Sequence, residues 1–287
     1  MKIKESLSRK IYIYLSTVYF ILLCFIMVLP ILKVVAQSFS ESVYIEANKV
    51  LFWPKGFNLD AYANVLMDQG ILTALKNSVI VTVGGTAVNL IMTALFAYPL
   101  SRKEYMFKRQ ILIMVTITMI FSVPMIPSYL VVRALGMDNK LIAVIMPSAI
   151  SGFNFFIMRS FFKGIPGELI DSARIDGCGE LRILFNIVLP LSKASLATLG
   201  LFYGVGHWNA LQGPLIYLRN TRFHTLQVKL YQILQYGSDS IDIGEIFISP
   251  IAIKMTTIVV AMLPILMVYP FLQKHFVKGA TLGSLKE

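Results

Sequence analysis

Charged residues are scarce in this 287-residue chain. They make up 14% of its residues, against roughly a quarter in a typical soluble domain, while 56% are hydrophobic and the mean hydropathy is +0.72. This composition excludes an ordinary soluble domain and predicts an integral membrane protein. The net charge of +11 would suit a nucleic-acid-binding protein. The basic residues flank apolar runs, however, which is the pattern that sets membrane topology.

The chain also lacks the residues of several catalytic and energy-coupling sites. Its two cysteines, Cys24 and Cys178, lie in an apolar run and a polar loop, so no disulfide or metal framework is predicted. No stretch fits the G-x-x-x-x-G-K-[ST] phosphate loop, because GGTAVNL and KGIPGEL lack its Lys-Ser/Thr pair. The apolar runs hold no Asp or Glu, and His207 alone could serve a proton relay there. These absences disfavour an intramembrane enzyme or an ion-driven carrier, and they favour an external energy source.

Six apolar runs without Asp, Glu, Lys or Arg come near or exceed the roughly 20 residues of a membrane-spanning helix. They are residues 11–32, 77–100, 111–132, 141–158, 194–218 and 255–272. The first run could be a secretory signal, but its length, Pro30 and the absence of a small-x-small cleavage site favour an uncleaved anchor. Pro124 and Pro127 are predicted to kink the third run.

The distribution of Lys and Arg predicts the orientation of the spans. With the N-terminus inside, the inner segments hold 16 of the 26 basic residues and have a net charge of +9, against +2 outside. Residues 1–10 and the tail 276–287 are therefore predicted to be cytoplasmic, on either side of a permease domain over 11–275. The largest cytoplasmic loop is then 159–193. Residues 219–246 form an outer loop, in which Leu226, Leu230, Ile233 and Leu234 predict a helix.

The cytoplasmic loop reads as two short helices joined by a sharp turn. The first helix is predicted over 168–175, and Gly177 and Gly179 permit the reversal, with the Asp176 carboxylate accepting backbone N–H groups. The second helix begins near Glu180 and should end or bend at Pro190. Its predicted apolar stripe is Leu181, Leu184, Phe185, Val188 and Leu189. Periodicity alone leaves two interpretations equal: a hairpin that docks a partner, or one that lies on the membrane interface.

The identities within ELIDSARIDGCGELRILFNIVLPL resemble the cytoplasmic signature loop of ATP-binding-cassette importer permeases. Asp171, Ser172 and Ala173 occupy the Glu-Ala-Ala places of that signature, and the family's Asp-Gly and Leu-Pro pairs also match. In the family this loop docks on a separate ATPase subunit, which uses ATP and Mg, whereas the permease binds no cofactor. The resemblance thus implies that the ATPase-coupling residues are Glu168, Asp171, Ser172, Ala173, Asp176, Gly177, Leu189 and Pro190.

Three further segments, 77–103, 202–210 and 276–287, look like parts of carbohydrate importers. The likeness is to the second permease subunit of maltose-type systems, in the branch for complex oligosaccharides. It implies an all-α, six-span type I importer permease in the cell membrane. The implied partners are a homologous second permease, two ATPase subunits and a solute-binding protein, which the outer loop would contact. Residues 279–287 would form a second ATPase contact.

Polar and aromatic residues in the fifth run predict where the solute passes. Sugars offer hydroxyls to amide and imidazole groups and apolar faces to aromatic rings. The candidate solute-path residues are Tyr203, His207, Trp208, Asn209 and, on the fourth run, Asn154. The alternative is that these groups bond to neighbouring helices and that the nearby glycines permit close packing.

The sequence therefore predicts a non-enzymatic permease subunit of an ATP-driven oligosaccharide importer. Two alternatives remain: the same kind of permease for a non-sugar solute, and a membrane scaffold or receptor whose hairpin recruits another partner. The identity of the sugar does not follow from the residues.

Overall fold

The computed structural model describes residues 7–121, 123–236, 241–243 and 246–284. The chain divides into two compact units, one of Met1–Asp68 with Leu230–Leu263 and the other of Gln69–Lys229 with Pro264–Glu287. Its helices are α1 (Leu7–Ser38), α2 (Ser42–Glu46), α3 (Asp60–Met67), α4 (Gln69–Ser101), α5 (Lys108–Ile120), α6 (Met125–Ala134), α7 (Ile142–Ile145), α8 (Gly152–Lys163), α9 (Gly167–Ile175), α10 (Glu180–Ile183), α11 (Leu189–Leu191), α12 (Lys193–Trp208), α13 (Gln212–Tyr217), α14 (Leu226–Tyr236) and α15 (Pro250–Ser284). Short 3₁₀ turns occupy Met146–Ser148 and Thr221–Phe223, and a π turn occupies Leu184–Val188.

Six segments of the described chain are long and apolar enough to cross a membrane if each bent pair of helices counts as one span. Leu7–Ser38, Gln69–Ser101 and Pro250–Met267 qualify as single helices. The bent pairs are α5 with α6, α7 and its 3₁₀ turn with α8, and Glu180–Leu191 with α12. The all-α class and the number of apolar segments agree with the sequence. The fifth predicted run, 194–218, is not one continuous helix, because α12 ends at Trp208 and α13 starts only at Gln212.

The third apolar run bends near its prolines as predicted, but the bend is a break between two helices and not a kink within one. Helix α5 ends at Ile120 and α6 begins at Met125. Pro124 is the residue before α6, and Pro127 lies in its first turn, where a missing backbone N–H breaks no intrahelical bond. The two prolines therefore start a new helix.

The first unit contains the most lipid-like surface of the chain. Helix α1 buries only Ala36, Gln37 and Ser38, at its C-terminal end. A helix that is apolar all round and exposed along its length suits a hydrocarbon environment. The unit also contains an antiparallel pair of short strands, β1 (Ile241–Ile243) with β2 (Ile246–Ile248), in which Ile241 pairs with Ile248. This strand pair is a local departure from the predicted all-α fold. The predicted helix of the outer loop is present as α14.

The second unit is organised around α4, which packs against α8 and α12. A helix of 33 residues is about 50 Å long. Its buried residues toward the C-terminal end, Ala94, Ala97 and Leu100, join the main apolar cluster. That cluster also contains Phe155, Met158, Phe162, Ile170, Ala173, Ile183, Leu184, Val188 and Leu199. The cytoplasmic loop predicted from the sequence thus packs on one end of α4.

Candidate functional site

The turn between α9 and α10 is closed by backbone groups. Gly177 has φ +78°, donates its N–H to Arg174 O at 3.0 Å, and is followed by Cys178, whose N–H donates to Ala173 O at 2.9 Å. These two bonds form a Schellman cap, which requires the left-handed conformation that glycine adopts freely. The Asp176 carboxylate accepts no backbone bond from the described residues, so its predicted role in the turn is wrong. Gly179 has φ −70°, so its backbone does not need glycine.

Arg174 holds this hairpin together through three carboxylates. Its guanidinium donates to Glu180 Oε1 at 2.8 Å, to Glu104 Oε2 at 3.2 Å and to Asp171 Oδ1 at 3.4 Å. The hydrogen bonds with Glu104 and Glu180 raise the pKa of Arg174. The guanidinium is therefore charged at every physiological pH.

Tyr98 connects the same network to α4. Its hydroxyl donates to Glu180 Oε2 at 2.6 Å, and the Arg102 guanidinium lies 5.3 Å over its ring. The hydrogen bond from Tyr98 and the contact with Arg174 lower the pKa of Glu180. The sequence analysis did not identify Arg174, Glu180 or Tyr98 as functional. The i, i+3 spacing of Asp171 and Arg174 was the available signal.

The second half of the hairpin buries a different stripe from the predicted one. Leu184 and Val188 are buried as expected, and so is Ile183, but Leu181 and Phe185 are 65% and 49% exposed. The π turn over Leu184–Val188 has wider i→i+5 bonding, so the residues from Phe185 onward depart from α-helical positions. Leu181 lies before this turn, and nothing in the described contacts explains its exposure.

The bend that was predicted at Pro190 lies slightly later. Pro190 is within α11, and the axes of Glu180–Leu191 and α12 differ by 86° across Ser192. The π turn ends at Val188, two residues before this proline, whose ring nitrogen cannot donate to the turn before it.

The predicted coupling residues mostly lie on the exposed face of the hairpin. The exposed ones are Glu168, Asp171, Ser172, Asp176, Gly177 and Pro190, whereas Ala173 is buried and Leu189 half-buried. Ile175 and Leu181 are exposed apolar side chains on the same hairpin. A mixed apolar and acidic face of this kind suits a protein partner better than bulk water.

A cavity of about 470 Å³ lies between α4, the α7–α8 turn, α12 and α13. Its polar lining residues are Asn89, Ser148, Ser151, Asn154, Tyr203, His207 and Tyr217. Three of the five predicted solute-path residues, Asn154, Tyr203 and His207, are therefore brought together. Trp208 instead lines a separate apolar cavity of about 350 Å³, and Asn209 is exposed with its amide donating to Val205 O of its own helix.

Asn89 fixes the protonation of His207 in this cavity. Asn89 Nδ2 donates to Ser148 O at 3.1 Å and lies 3.1 Å from His207 Nε2. An amide nitrogen can only donate a hydrogen bond. His207 Nε2 must therefore accept it, and the imidazole proton lies on Nδ1. The Asn89 Oδ1 atom is buried without a hydrogen-bond partner. The Nδ1–H of His207 is thus a donor that the described residues do not use, whereas Asn89 Oδ1 is closed off from solvent.

Tyr203 forms a second polar bridge one helical turn away. Its hydroxyl lies 2.8 Å from Thr93 Oγ1 and accepts from the Ser151 backbone N–H at 3.1 Å. The alternative interpretation, in which the polar groups of α12 bond to neighbouring helices, is therefore correct for Tyr203 and His207. The same two side chains also line the cavity.

Asn89 and Thr93 of the second run were not among the predicted solute-path residues, which came from the fourth and fifth runs. Gly85, Asn89 and Thr93 recur at i, i+4 and i+8, and all three are buried. Polar residues at that spacing in an apolar helix share one face and mark a helix contact or a cavity. That pattern was the signal available.

The opposite end of α4 holds the segment that follows α13. Asn77 Nδ2 donates to Arg222 O at 2.8 Å and to His224 O at 3.0 Å. The neighbouring Ser78 Oγ accepts from the Leu226 N–H at 2.8 Å. Segment 222–226 is therefore fastened to the N-terminal end of α4.

Helix α4 gives the depth of each feature. Ser78 and Tyr98 are about 30 Å apart along the helix, which equals the thickness of a bilayer hydrocarbon core. Asn89 lies near the middle of this interval. The hairpin, the polar cavity and segment 222–226 therefore occupy one end, the middle and the other end of a membrane-length rod.

No group of three or more His, Cys, Asp or Glu side chains in the described ranges could hold a metal ion. The polar residues of the cavity are amides, hydroxyls and one imidazole. These groups suit a hydroxyl-rich solute.

Comparison with known proteins identifies relatives along nearly the whole chain. Residues 91–281 match the family model described as binding-protein-dependent transport system inner membrane component. The polygalacturonan/rhamnogalacturonan transport system permease protein YtcP of Bacillus subtilis (strain 168) is 43% identical over 272 residues, which are 93% of this chain and 94% of that protein. The arabinooligosaccharides transport system permease protein AraQ of Halalkalibacterium halodurans is 30% identical over 280 residues, 95% of this chain and 96% of the other.

A solved structure has the same fold. A chain from the crystal structure of a bacterial ABC transporter involved in the import of the acidic polysaccharide alginate superposes with a TM-score of 0.87 and 27% identity. The match covers 96% of this chain and 100% of that chain.

Proposed function

The chain belongs to the family of binding-protein-dependent transport system inner membrane components, and on that premise we propose that it carries oligosaccharides as one of two permeases in an ATP-driven importer. It is a permease subunit of a binding-protein-dependent importer. The names of the chain's relatives support an oligosaccharide as the solute, because they include permeases of arabinooligosaccharide and polygalacturonan transport systems.

One observation carries the mechanism: the hairpin and the polar cavity are attached to the same continuous helix. Tyr98 on α4 bonds the hairpin through Glu180, and Asn89 on α4 bonds His207 in the cavity. A partner that moves the hairpin therefore acts directly on the helix that forms one wall of the cavity. Mechanical coupling of this kind needs a stiff element with both sites attached to it.

The proposed motor is a pair of separate ATPase subunits that bind ATP and Mg, while this chain binds no cofactor. Their docking surface is the exposed hairpin face with Glu168, Asp171, Ser172, Asp176, Gly177 and Pro190, and Ala173 and Leu189 pack beneath it. The tail 276–287 would give a second contact. The backbone of that tail is helical up to Ser284, and residues 285–287 lie outside the described residues.

The hairpin end of α4 is assigned to the cytoplasm of a bacterial cell. Basic residues are concentrated in the segments on that side, as the positive-inside rule requires. Both termini are then cytoplasmic, and segment 219–229 faces the solute-binding protein.

In the solute path, Asn154, Tyr203 and His207 act together with Asn89. The Nδ1–H of His207 donates to a sugar hydroxyl, and Asn89 orients the imidazole for that contact. Hydrogen bonds in a low-dielectric cavity orient a hydroxyl-rich solute well, because the alternative is an unpaired polar group.

The test is reconstitution of this chain with its second permease and ATPases in proteoliposomes, with the binding protein present. We expect ATP turnover to rise when an oligosaccharide is added, and Glu168→Lys to reduce co-purification of the ATPase. Glu46→Lys is the matched control, an exposed acid of the first unit outside the hairpin. If no ATPase co-purifies with the wild type but another protein does, the hairpin serves a scaffold and the proposal fails.

A further inference from the structure

Arg219 lies two residues after the cavity-lining Tyr217 and contacts a tyrosine that stacks on Tyr217. Tyr217 lines the cavity and stacks on Tyr129, with ring centroids 6.5 Å apart and an interplanar angle of 6°. The Arg219 guanidinium lies 5.6 Å over the Tyr129 ring. A cation over an aromatic face is stabilised by the ring quadrupole, so Arg219 has a defined place beside the entrance.

Three more exposed cations lie on the segments that frame this entrance. Together with Arg219 they form the cationic rim, defined as Arg133, Lys140, Arg219 and Arg222. Backbone bonds join these segments: the Asn139 N–H donates to Tyr217 O at 2.8 Å, and the Asn220 N–H donates to Asn139 Oδ1 at 2.9 Å. The Arg222 N–H in turn donates to Asn220 Oδ1 at 3.0 Å.

None of the four rim cations forms an ion pair with a residue of the described ranges. The ion pairs of the second unit at the other end of α4 all involve Arg174. Asp138 is the acidic residue next to the rim, and it forms no ion pair with the rim cations. Four cations therefore face one carboxylate at this entrance.

Membrane topology does not explain these cations. The positive-inside rule places Lys and Arg in cytoplasmic loops, whereas the rim lies at the opposite end of α4 from the hairpin. Uncompensated like charges repel one another and weaken the folded state. A charged ligand is the simplest reason for concentrating them at the mouth of a cavity.

We propose that the solute is an anionic oligosaccharide that carries uronate carboxylates, and that Arg219, supported by the other rim cations, receives those carboxylates at the outer mouth of the cavity. This inference rests on the proposed function. A guanidinium binds a carboxylate through two parallel N–H bonds, and its attraction acts within about 8 Å at physiological salt. The rim is therefore placed to attract and orient the sugar just before it enters the cavity.

The cavity itself complements this assignment. Its lining contains no Lys, Arg, Asp or Glu, but it contains amides, hydroxyls and Tyr217. Sugar hydroxyls would bond at mid-depth and an apolar sugar face would lie on the tyrosine, while the carboxylates bind only at the mouth. A cavity without fixed cations also avoids trapping an anion that has to leave on the other side.

The experiment compares two chemically matched sugars in proteoliposomes that contain the full importer and its binding protein. The probes are a radiolabelled oligogalacturonide and the same oligosaccharide after reduction of its carboxyl groups. The variants are Arg219→Gln and Arg219→Lys. Lys49→Gln is the control, since it removes one exposed charge from the first unit, outside the rim.

We expect Arg219→Gln to lower uptake of the acidic sugar about tenfold, the equivalent of one charged hydrogen-bonded contact, and to leave uptake of the reduced sugar unchanged. Arg219→Lys should retain part of the uptake, and Lys49→Gln should retain all of it. Equal losses for both sugars would overturn the proposal, because the rim would then serve docking of the binding protein.

Uptake of the reduced sugar in preference to the acidic one by the wild type would also overturn it, while leaving the oligosaccharide function intact. If neither sugar is taken up but another class of solute is, the proposed function fails as well. If Arg219→Gln does not assemble, Arg222→Gln and Arg219→Lys are compared with the wild type instead. Uptake of the acidic sugar at the wild-type level by both of these variants would contradict the proposal.

Discussion

A Cβ atom on residue 85 would lie only 2.6 Å from Nε2 of His207, so Gly85 is what allows the imidazole to sit against α4. This position lets His207 Nε2 form its 3.1 Å hydrogen bond with Asn89 Nδ2. Real Cβ atoms do not approach another atom that closely, and a packed ring has little room to retreat.

Gly85→Ala should therefore displace His207 and reduce solute uptake. Overpacking of this kind costs about 1–3 kcal/mol, which should also lower the melting temperature in detergent. Gly84→Ala is the control, because a Cβ there meets nothing within 4 Å. Alanine also favours helix over glycine, so the control should be neutral or slightly stabilising. Equal behaviour of the two variants would show that the His207 position is not fixed by Gly85.

Asn89→Ala should destabilise the contact between α4 and α12. The change leaves Ser148 O and His207 Nε2 without their donor, at a cost of about 1 kcal/mol for a polar contact between membrane helices. The melting temperature in detergent and the rate of solute uptake should both fall. Asn209→Ala is the matched control, since that amide is exposed and bonds only its own helix. A larger loss of stability in the control would contradict the assignment of Asn89.

Gly177→Ala should strain the hairpin whereas Gly179→Ala should not. Gly177 has φ +78°, which costs an L-residue about 1–2 kcal/mol, while Gly179 has φ −70°. Neither position has an atom within 4 Å of a built Cβ, so space alone does not distinguish them. The readout is stability in detergent without the ATPase. Similar losses in both variants would refute the Schellman cap as the reason for Gly177.

The attachment of the hairpin to α4 should weaken at acidic pH. The pKa of Glu180 is lowered chiefly by the Tyr98 hydroxyl, so its stabilising effect is complete above the ordinary glutamate pKa, about 4.3, and is lost as pH falls through the lower folded value. Because Glu180 is largely exposed, the effect should be below about 1 kcal/mol.

Tyr98→Phe removes that hydroxyl and brings the folded pKa of Glu180 closer to its ordinary value, so the loss should be smaller than in the wild type and be complete at a higher pH. Hydrogen exchange of the amides in α9 and α10, followed on acidification, measures it. Tyr105→Phe serves as control, because Tyr105 is exposed and its hydroxyl forms no hydrogen bond with the described residues. An unchanged pH dependence in Tyr98→Phe would show that Glu180 is held by Arg174 alone.

The sequence predicted the features that depend on composition and local pattern. The scarcity of charge and the length of the apolar runs predicted the membrane helices, and the Gly177 position predicted the turn. The two short helices of the hairpin and helix α14 also followed from spacing. These features depend on neighbouring residues, which a sequence displays directly.

Features that depend on distant partners were not predicted. The Asn89–His207 and Thr93–Tyr203 contacts join residues more than 100 positions apart. The grouping of Trp208 with His207 failed because adjacent residues of a helix point in different directions, about 100° apart. The predicted stripe of the hairpin failed at Phe185 because the helical period changes in the π turn that contains it.

The two polar contacts also determine which parts of the molecule can move against each other. A slip of α12 along α4 by one turn, about 5.4 Å, would separate both pairs and leave His207 Nε2 and Thr93 Oγ1 without the partners that they have here. The register of these helices is thereby locked, and they should travel as one body during transport. The hairpin is fastened to α4 as well, through Tyr98 and Glu180, so alternating access would move the hairpin, α4 and α12 together against the rest of the importer.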